Sequence, residues 1–190
     1  MTRRLISYMF TSLDGLIADR DGGLDWVPID DGSMRFANTY FAAMGGIVFG
    51  RTVYEGFVEY WDRLVPTDPG TTDLEREFAG IFGGMERIVV STTLATDGCE
   101  RTSVIADDLA GALSRLKEEP GNDLLLICGP ALRSRLAELG MIDRYRTLVA
   151  PVALGEGIPL FAPTREPLSL RLADSTVFSG GVIMLDHEPA

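Results

Sequence analysis

Short apolar runs alternate with amphipathic segments along most of the chain. Runs rich in β-branched and aromatic residues predict strands at 4–11 ("RLISYMFT"), 46–50 ("GIVFG"), 87–92 ("RIVVST"), 102–105 ("TSVI"), 123–128 ("DLLLIC") and 144–154 ("RYRTLVAPVAL"). Several of these runs show no polar alternation. We therefore expect them to be buried on both faces, as in a parallel sheet.

The segments between these runs carry apolar residues at helical spacing. One helix is indicated by Phe36, Tyr40 and Met44, with Ser33 as its N-cap. A second is expected from Thr52 to about Trp61, because Thr52 and Glu55 form the T-x-x-E pattern of a capping box. Further helices are predicted at 73–82, at 109–116 before a Pro-Gly pair, and from Pro130 to a C-terminal Gly140. Residues 12–26 and 63–72 are expected to be loops.

The C-terminal part has a different pattern. Two partly alternating runs, 168–178 and 181–188, are joined by "SGG", which predicts an antiparallel hairpin. The preceding strand–helix alternation predicts a mostly parallel sheet with helices on both faces. We therefore expect an α/β fold that forms a single domain over residues 1–190.

Composition narrows the possible classes of function. The chain has 46% hydrophobic and 24% charged residues, which is typical of a soluble globular protein. Its formal net charge of -11 argues against broad binding to nucleic acid or to an anionic membrane surface. No apolar stretch reaches the length of a membrane span and no secretion-type cleavage site follows the first apolar run, so we expect a cytoplasmic protein.

Cysteine and histidine are scarce. Cys99 and Cys128 are too few for a disulfide framework, and they lack metal-ligand spacing. His187 is the only histidine and lies close to the C-terminus. This argues against a histidine-based metal site and against a Ser/His/Asp triad, and no metal is predicted.

Three predicted strands end in residues suited to binding anions. The ends read Gly50-Arg51-Thr52, Ser91-Thr92-Thr93 and Gly129-Pro130-Ala131. Ligands of open α/β sheets bind at the carboxyl ends of the strands, and arginine, hydroxyl and backbone N–H groups all donate to phosphate oxygens. Each end also has a simpler interpretation, as a helix cap, a solvated charge or an ordinary helix start. The Rossmann and P-loop glycine motifs are absent from the sequence.

Four segments in order carry a resemblance to a known family: "SLDGLIA" (12–18), "FGRTVYE" (49–55), "VVSTTL" (89–94) and the long stretch 127–161 beginning "ICGPALRSRLAELG". Over nearly its full length the chain resembles the dihydrofolate reductase-like superfamily. It is most similar to the branch that contains the reductase domain of the bifunctional riboflavin-biosynthesis deaminase–reductase. The resemblance implies a three-layer fold and an extended NADPH bound across the strand ends.

The resemblance also implies roles for individual residues. Gly50, Arg51 and Thr52 would hold the adenosine-side phosphates, and Ser91 and Thr92 would lie at the 2′-phosphate. Arg51 would thereby distinguish NADPH from NADH. The pyrophosphate would lie against the start of a helix, at Gly129, Pro130, Ala131 and Leu132. The nicotinamide would be flanked by Phe10, Ile17 and Ala18.

The implied activity is NADPH-dependent reduction of a small heterocyclic or imine-type substrate, related to 5-amino-6-(5-phosphoribosylamino)uracil reduction. Three departures from the family affect this expectation: Leu16 stands where the riboflavin enzymes have lysine, "VYEGFVEYW" (53–61) replaces an Asp-Pro-containing stretch, and Gly129-Pro130 replaces a double glycine. Alternatives are dihydrofolate or pteridine reduction, and a non-catalytic NADPH-binding module. Relatives are often dimers, so a homodimer is expected.

The proton donor and the substrate pocket are left open by the sequence. Asp31 or Asp30 is the candidate acid, and the alternative for Asp31 is an N-terminal helix acid beside Ser33. Trp26 and Tyr54 are candidates to line a planar-substrate pocket, with core packing as the alternative.

Overall fold

The computed structural model describes residues 2–94 and 101–190, and Cys99 lies outside these ranges. Its strands are β1 (Leu5–Thr11), β2 (Leu16–Asp19), β3 (Gly46–Gly50), β4 (Arg87–Val90), β5 (Thr102–Ile105), β6 (Leu124–Ile127), β7 (Arg144–Val149), β8 (Gly157–Pro159), β9 (Leu170–Val177) and β10 (Ile183–Pro189). Its helices are α1 (Asp31–Ala42), α2 (Arg51–Phe57), a π-helix (Val58–Leu64), α3 (Asp73–Gly84), α4 (Leu109–Glu118) and α5 (Pro130–Glu138).

The described residues form two compact units that alternate along the chain. Unit 1 contains residues 2–3 and 31–128, and unit 2 contains residues 4–30 and 129–190. That the chain is a single domain stays a prediction. Among the described residues, no helix has the length and apolar character needed to cross a membrane.

Unit 1 is built on four parallel strands in the order β5-β4-β3-β6. Its inner strands are the predicted unbroken apolar runs, and Ile47, Val48 and Phe49 are fully buried. An aromatic cluster covers this sheet: the Phe49 ring lies 5.3 Å from Phe57 and 6.3 Å from Phe82, centroid to centroid. Burial of such runs on both faces is what keeps a parallel sheet stable.

Unit 2 contains a mixed sheet and a small two-stranded one. β1 pairs in parallel with β7, while β10 is antiparallel to both β7 and β9. β2 and β8 form the separate antiparallel pair. The C-terminal hairpin is thus confirmed as β9 and β10. The expected fold class is confirmed as well: an α/β fold whose strands are mostly parallel, with an antiparallel hairpin at the end of the chain.

Several local predictions were wrong. The stretch 12–26 was expected to be a loop, but β2 forms within it because it pairs with the distant β8. α1 begins at Asp31, so Ser33 lies inside the helix and is buried rather than capping it. The run 144–154 leaves strand geometry after Val149.

The second predicted helix also differs from the expectation. α2 begins at Arg51 with Gly50 as its N-cap, no side chain caps it, and it changes to a π-helix at Val58. The capping box predicted at Thr52 and Glu55 does not form. A capping box forms instead at Thr72 and Glu75, at the start of α3.

Candidate functional site

The carboxyl ends of β3 and β4 meet at one edge of the sheet in unit 1. The two strands are parallel, with Gly50 in register with Val90. Arg51 and Ser91 follow this pair directly in the sequence. The structure therefore brings the predicted residues of these two strand ends to the same sheet edge: Gly50, Arg51, Thr52, Ser91 and Thr92.

Arg51 is available to a ligand at this edge. Its side chain is 49% exposed, and its guanidinium lies 4.0 Å from the carboxylate of Glu55, one turn along α2. An exposed pair at this distance contributes little to stability. Thr52 is also exposed on the first turn of the helix. Both side chains can reorient toward an anion at low cost.

Ser91 presents a hydroxyl that is already held in place. Its Oγ accepts hydrogen bonds from the backbone N–H groups of Thr93 at 3.1 Å and Leu94 at 3.0 Å. These bonds use the oxygen as an acceptor, so the single hydroxyl proton is left to donate. Together with the Arg51 guanidinium, the hydroxyl makes a donor set that suits phosphate oxygens.

The third predicted turn follows β6. Ile127, the last residue of β6, is in register with Phe49 of β3, and Gly129 comes two residues later in the chain. In unit 2, Gly129 is the N-cap of α5 without a side-chain hydrogen bond, and Pro130 occupies the first turn. A Cβ added at Gly129 would meet nothing within 4 Å. Packing against the rest of the protein therefore does not explain the glycine at this position. The absence of a side chain leaves room for a ligand to approach the backbone.

The other residues of this predicted group lie at the start of α5 as well. Ala131 is exposed and Leu132 is half-buried. Neither side chain carries a polar atom, so any contact with a pyrophosphate would come from their backbone groups.

The residues that the resemblance assigns to the nicotinamide lie in β1 and β2 of unit 2. Phe10 is half-buried near the end of β1, in register with Leu148, whereas Ile17 and Ala18 are buried within β2. β2 is held against β8 by a close approach at Gly157, where a Cβ would collide with the carbonyl oxygen of Ala18. The backbone around Ala18 is thus fixed by pairing.

Asp14 fixes the loop that precedes β2, where the sequence indicates only a turn at Asp14 and Gly15. Its carboxylate accepts hydrogen bonds from the Ser12 hydroxyl at 2.6 Å and from the backbone N–H groups of Gly155 at 2.7 Å and Leu154 at 3.1 Å. These bonds, that from Ser12 above all, lower the pKa of Asp14 to about 2. Gly15 completes a turn at φ 80°. The S-x-D-G spacing was the available signal, because Ser and Asp side chains readily bond to nearby backbone.

The two acid candidates occupy different settings. In unit 1, Asp31 begins α1 with its side chain 81% exposed and 3.7 Å from Arg35. In unit 2, the Asp30 carboxylate accepts from the Ser179 hydroxyl at 3.3 Å, beside the turn of the C-terminal hairpin. The exposure of Asp31 and its place in the first turn match the alternative of a helix N-terminal acid. Its catalytic role, like that of Asp30, stays a prediction.

The two aromatic candidates also separate. Trp26 donates its indole N–H to the carbonyl of Gly23 at 3.2 Å and lies in a turn of unit 2. Tyr54 is 4% exposed, and its hydroxyl lies 3.2 Å from the hydroxyl of Thr102. Thr102 is the first residue of β5, so the Tyr54 hydroxyl points toward the amino edge of the sheet and away from Ser91.

Comparison with known proteins decides the family. A family model, "RibD C-terminal domain", matches residues 3–184. The chain belongs to the RibD C-terminal domain family. Membership supports a reductase-like role of the riboflavin-pathway type. Among the described residues, no group of three His, Cys, Asp or Glu side chains could hold a metal ion.

Two relatives match nearly the whole chain. The chain is 29% identical over 183 residues to the uncharacterized protein YyaP of Bacillus subtilis, covering 96% of this chain and 93% of that one. It is 28% identical to the uncharacterized protein YwjB of the same organism, covering 96% of both chains.

Two solved structures share the fold. A putative riboflavin biosynthesis protein from Shewanella sp. PV-4 has a TM-score of 0.75 at 23% identity, covering 100% of this chain and 99% of that one. A diaminohydroxyphosphoribosylaminopyrimidine deaminase/5-amino-6-(5-phosphoribosylamino)uracil reductase from Thermotoga maritima has a TM-score of 0.67 at 15% identity, covering 100% of this chain and 57% of that one.

Proposed function

We propose that this protein is an NADPH-dependent reductase of a small heterocyclic or imine-type substrate. The observation that carries the proposal is the donor set at the carboxyl edge of unit 1, where Arg51 and Ser91 follow a paired position of β3 and β4. Family membership supports the reductase class. The cytoplasm stays the proposed location.

The residues at this edge fit the phosphate groups of the cofactor. Arg51 would pair with the 2′-phosphate or its neighbours, and the hydroxyls of Ser91, Thr52 and Thr92 would donate to the same oxygens. NADPH would supply the hydride. The chain would hold the cofactor by its charged end at this edge.

Isothermal titration with NADPH and NADH tests the cofactor. The wild-type protein should bind NADPH more tightly. Arg51→Ala should weaken NADPH binding by on the order of 1.5–3 kcal/mol and NADH binding far less, because a charge-assisted hydrogen bond to the extra phosphate is lost.

Arg35→Ala is a matched control for this experiment. Arg35 is also an exposed arginine of unit 1 that pairs with a carboxylate four residues away, at 3.7 Å. Its removal should leave both affinities unchanged. Equal weak binding of the two cofactors to the wild-type protein would remove the proposal.

The substrate is tested separately, by following NADPH oxidation. A pyrimidine carrying a ribosylamino phosphate, dihydrofolate, a pterin and an aldehyde represent the candidate classes. Oxidation with dihydrofolate that antifolates inhibit would favour dihydrofolate reduction. Tight NADPH binding without oxidation of any of them would favour a non-catalytic module.

We also propose that two copies associate through the C-terminal hairpin of unit 2. β9 ends the strand order among the described strands, and it carries Leu172 and Val177 at 52% and 72% exposure. Val177 faces Ile183, itself 40% exposed, across the hairpin. A second copy of this chain would cover this apolar pair. Sedimentation should show a dimer that Val177→Lys converts to monomer, and a wild-type monomer would contradict it.

A further inference from the structure

A second cluster of cations lies at the amino edge of the sheet in unit 1. A cleft of about 730 Å³ opens there. We call it the arginine cleft, after the four arginines that line it: Arg63, Arg76, Arg87 and Arg101. Arg87 is the first residue of β4, and Ser91 follows the last one. The two edges are therefore roughly 10 Å apart along the strand, at about 3.3 Å per residue.

The arginine cleft is positively charged in an acidic protein. The chain has a formal net charge of -11, yet Asp62 is the one carboxylate among the residues that line the cleft. Arg87 is 7% exposed, donates to Asp62 at 2.7 and 3.2 Å, and lies 4.2 Å over the Phe82 ring. The guanidinium of Arg87 is therefore held in place by its ion pair with Asp62.

Two of the other arginines, Arg63 and Arg76, have exposed side chains. Arg63 is 70% exposed and pairs at 2.9 Å with Glu59, which is 55% exposed, so the pair is weak. Arg76 lies 4.0 Å from Asp73, which is fully exposed, and donates to the carbonyl of Thr71. An entering anion would compete with exposed carboxylates at both arginines, and at Arg76 also with the carbonyl of Thr71, a residue that is 9% exposed.

Glycines keep one wall of the cleft bare. Gly80 and Gly83 lie three residues apart, on one face of α3, and both line the cleft. A Cβ added at either would meet nothing within 4 Å, so packing does not require glycine at these positions. Glycine inside a helix costs about 0.5–1 kcal/mol relative to alanine. The sequence therefore gives up stability where a side chain would occupy the cleft.

Aromatic side chains form another part of the wall. Trp61 lies on the π-helix, and Tyr54, one of the predicted substrate residues, reaches the cleft from α2. π-helical turns are rare in proteins, and those that do occur are often found at functional sites. Arg101 has a left-handed backbone with φ 55°, and its carbonyl accepts from the Arg87 N–H at 2.8 Å. Such strain in a residue other than glycine is also concentrated at binding sites.

We propose that the arginine cleft binds an aromatic phosphate monoester at a site separate from the cofactor edge, the carboxyl edge of the unit 1 sheet that carries Gly50, Arg51, Thr52, Ser91 and Thr92. Trp61 offers apolar surface for a planar ring, and Tyr54 lines the cleft but is only 4% exposed. Arg63, Arg76 and Arg101 offer guanidinium groups that match phosphate oxygens. None of the three arginines belongs to the cofactor edge, so anion binding here can be tested apart from cofactor binding; Tyr54 is the cleft residue that the sequence predicts for a substrate pocket.

Phenyl phosphate is the probe, and tryptophan emission is the readout. The chain has two tryptophans, so Trp26→Phe leaves Trp61 as the sole emitter. Phenyl phosphate should change Trp61 emission in a saturable way, and phenol should not. Arg101→Ala in this background should weaken binding on the order of tenfold, the effect of losing one charge-assisted contact.

Neighbouring glycines provide matched variants. Gly83→Leu fills the cleft and should abolish the emission change. Gly84→Leu adds the same side chain at the next position, which has open space but does not line the cleft, and should bind like the parent. Far-ultraviolet circular dichroism with thermal melting verifies that each variant is folded.

The outcomes separate the possibilities. Arg51→Ala should leave the phenyl phosphate response intact, which would assign the response to the arginine cleft. The proposal is overturned if Trp61 emission does not respond, if Gly83→Leu and Gly84→Leu bind equally, or if Arg51→Ala removes the response. The last result would assign the anion to the cofactor edge and leave the proposed reductase function untouched.

Discussion

Two arginines at opposite edges of the same four-stranded sheet differ in their exposure and in how firmly they are paired. Arg51, past the carboxyl end of β3, is 49% exposed and 4.0 Å from its nearest carboxylate. Arg87, at the amino end of β4, is 7% exposed and held by two hydrogen bonds to Asp62. A buried guanidinium must be paired, because its desolvation is costly. An exposed one has no such requirement and can serve a ligand.

The contrast separates residues that hold the fold from residues that can bind. Arg87 also donates to the carbonyl of Phe82 at 3.2 Å and lies over the ring of the same residue. Its two terminal nitrogens donate within the protein, whereas its buried Nε has no hydrogen-bond partner among the described residues. Arg51 has one weak ion pair on its own helix. In the sequence, Arg51 and Arg87 both stand next to the apolar run of a strand. Only their burial in the structure distinguishes the arginine that supports the fold from the one that can bind a ligand.

The largest expected effect is on stability. Arg87→Met should lower the free energy of unfolding by about 3–5 kcal/mol, because it leaves Asp62 without its buried partner. The lower end is favoured, since the Asp62 side chain is 28% exposed and can be partly hydrated. Urea denaturation of wild type and variant measures the difference.

Arg51→Met is the matched control for that measurement. The same substitution at the exposed position should change stability by no more than about 0.5 kcal/mol. Replacing Arg87 and Asp62 together by apolar residues should cost less than Arg87→Met alone, because no unpaired charge is left. Equal losses at positions 51 and 87 would contradict the assigned roles.

The strands were the part of this fold that the sequence predicted best. β3, β4 and β6 lie within the predicted runs 46–50, 87–92 and 123–128, and their burial depends on local composition. β2 could not be found in this way. It has four residues in a Gly/Asp-rich stretch and depends on pairing with β8, whose Gly157 permits the approach.

The candidate site was predictable to the level of strand ends and no further. Strand register brings Gly50, Arg51 and Ser91 to one edge, as the order of elements implied. The direction in which the Tyr54 side chain points was not predictable, because it depends on a contact between its hydroxyl and that of the distant Thr102. The change to a π-helix at Val58 has no residue signal that we recognise in the sequence.

A second comparison uses two copies of the same pattern, T-x-x-E. At Thr72 the side chain accepts from the Glu75 N–H at 3.3 Å, and the Glu75 carboxylate accepts from the Thr72 N–H at 2.7 Å. At Thr52 no such bonds form, because Gly50 already occupies the N-cap position and Thr52 lies within the helix. The pattern predicts a cap only where the chain turns at the threonine.

Thr72→Ala should therefore cost about 1 kcal/mol of stability, the usual cost of losing a capping side chain. Thr52→Ala should cost no more than a few tenths, because its hydroxyl caps nothing. Thermal denaturation followed by circular dichroism compares the two variants directly. A loss at Thr52 as large as that at Thr72 would mean that its hydroxyl supports α2 in solution.

The smallest expected effect is on NADPH affinity, when the carboxylate that pairs with Arg51 is removed. It tests whether the weak pairing of Arg51, unlike that of Arg87, leaves the guanidinium available to a ligand. Glu55→Gln should strengthen NADPH binding by about 0.5 kcal/mol, because the ion pair that competes with the phosphate is lost and a nearby negative charge is removed. The gain should shrink as salt is added, since the charges are exposed and therefore screened. Titration of NADPH at low and moderate ionic strength measures both effects. Unchanged affinity at low salt would show that Glu55 does not restrain Arg51, whereas weaker binding would mean that Glu55 orients the guanidinium for the cofactor.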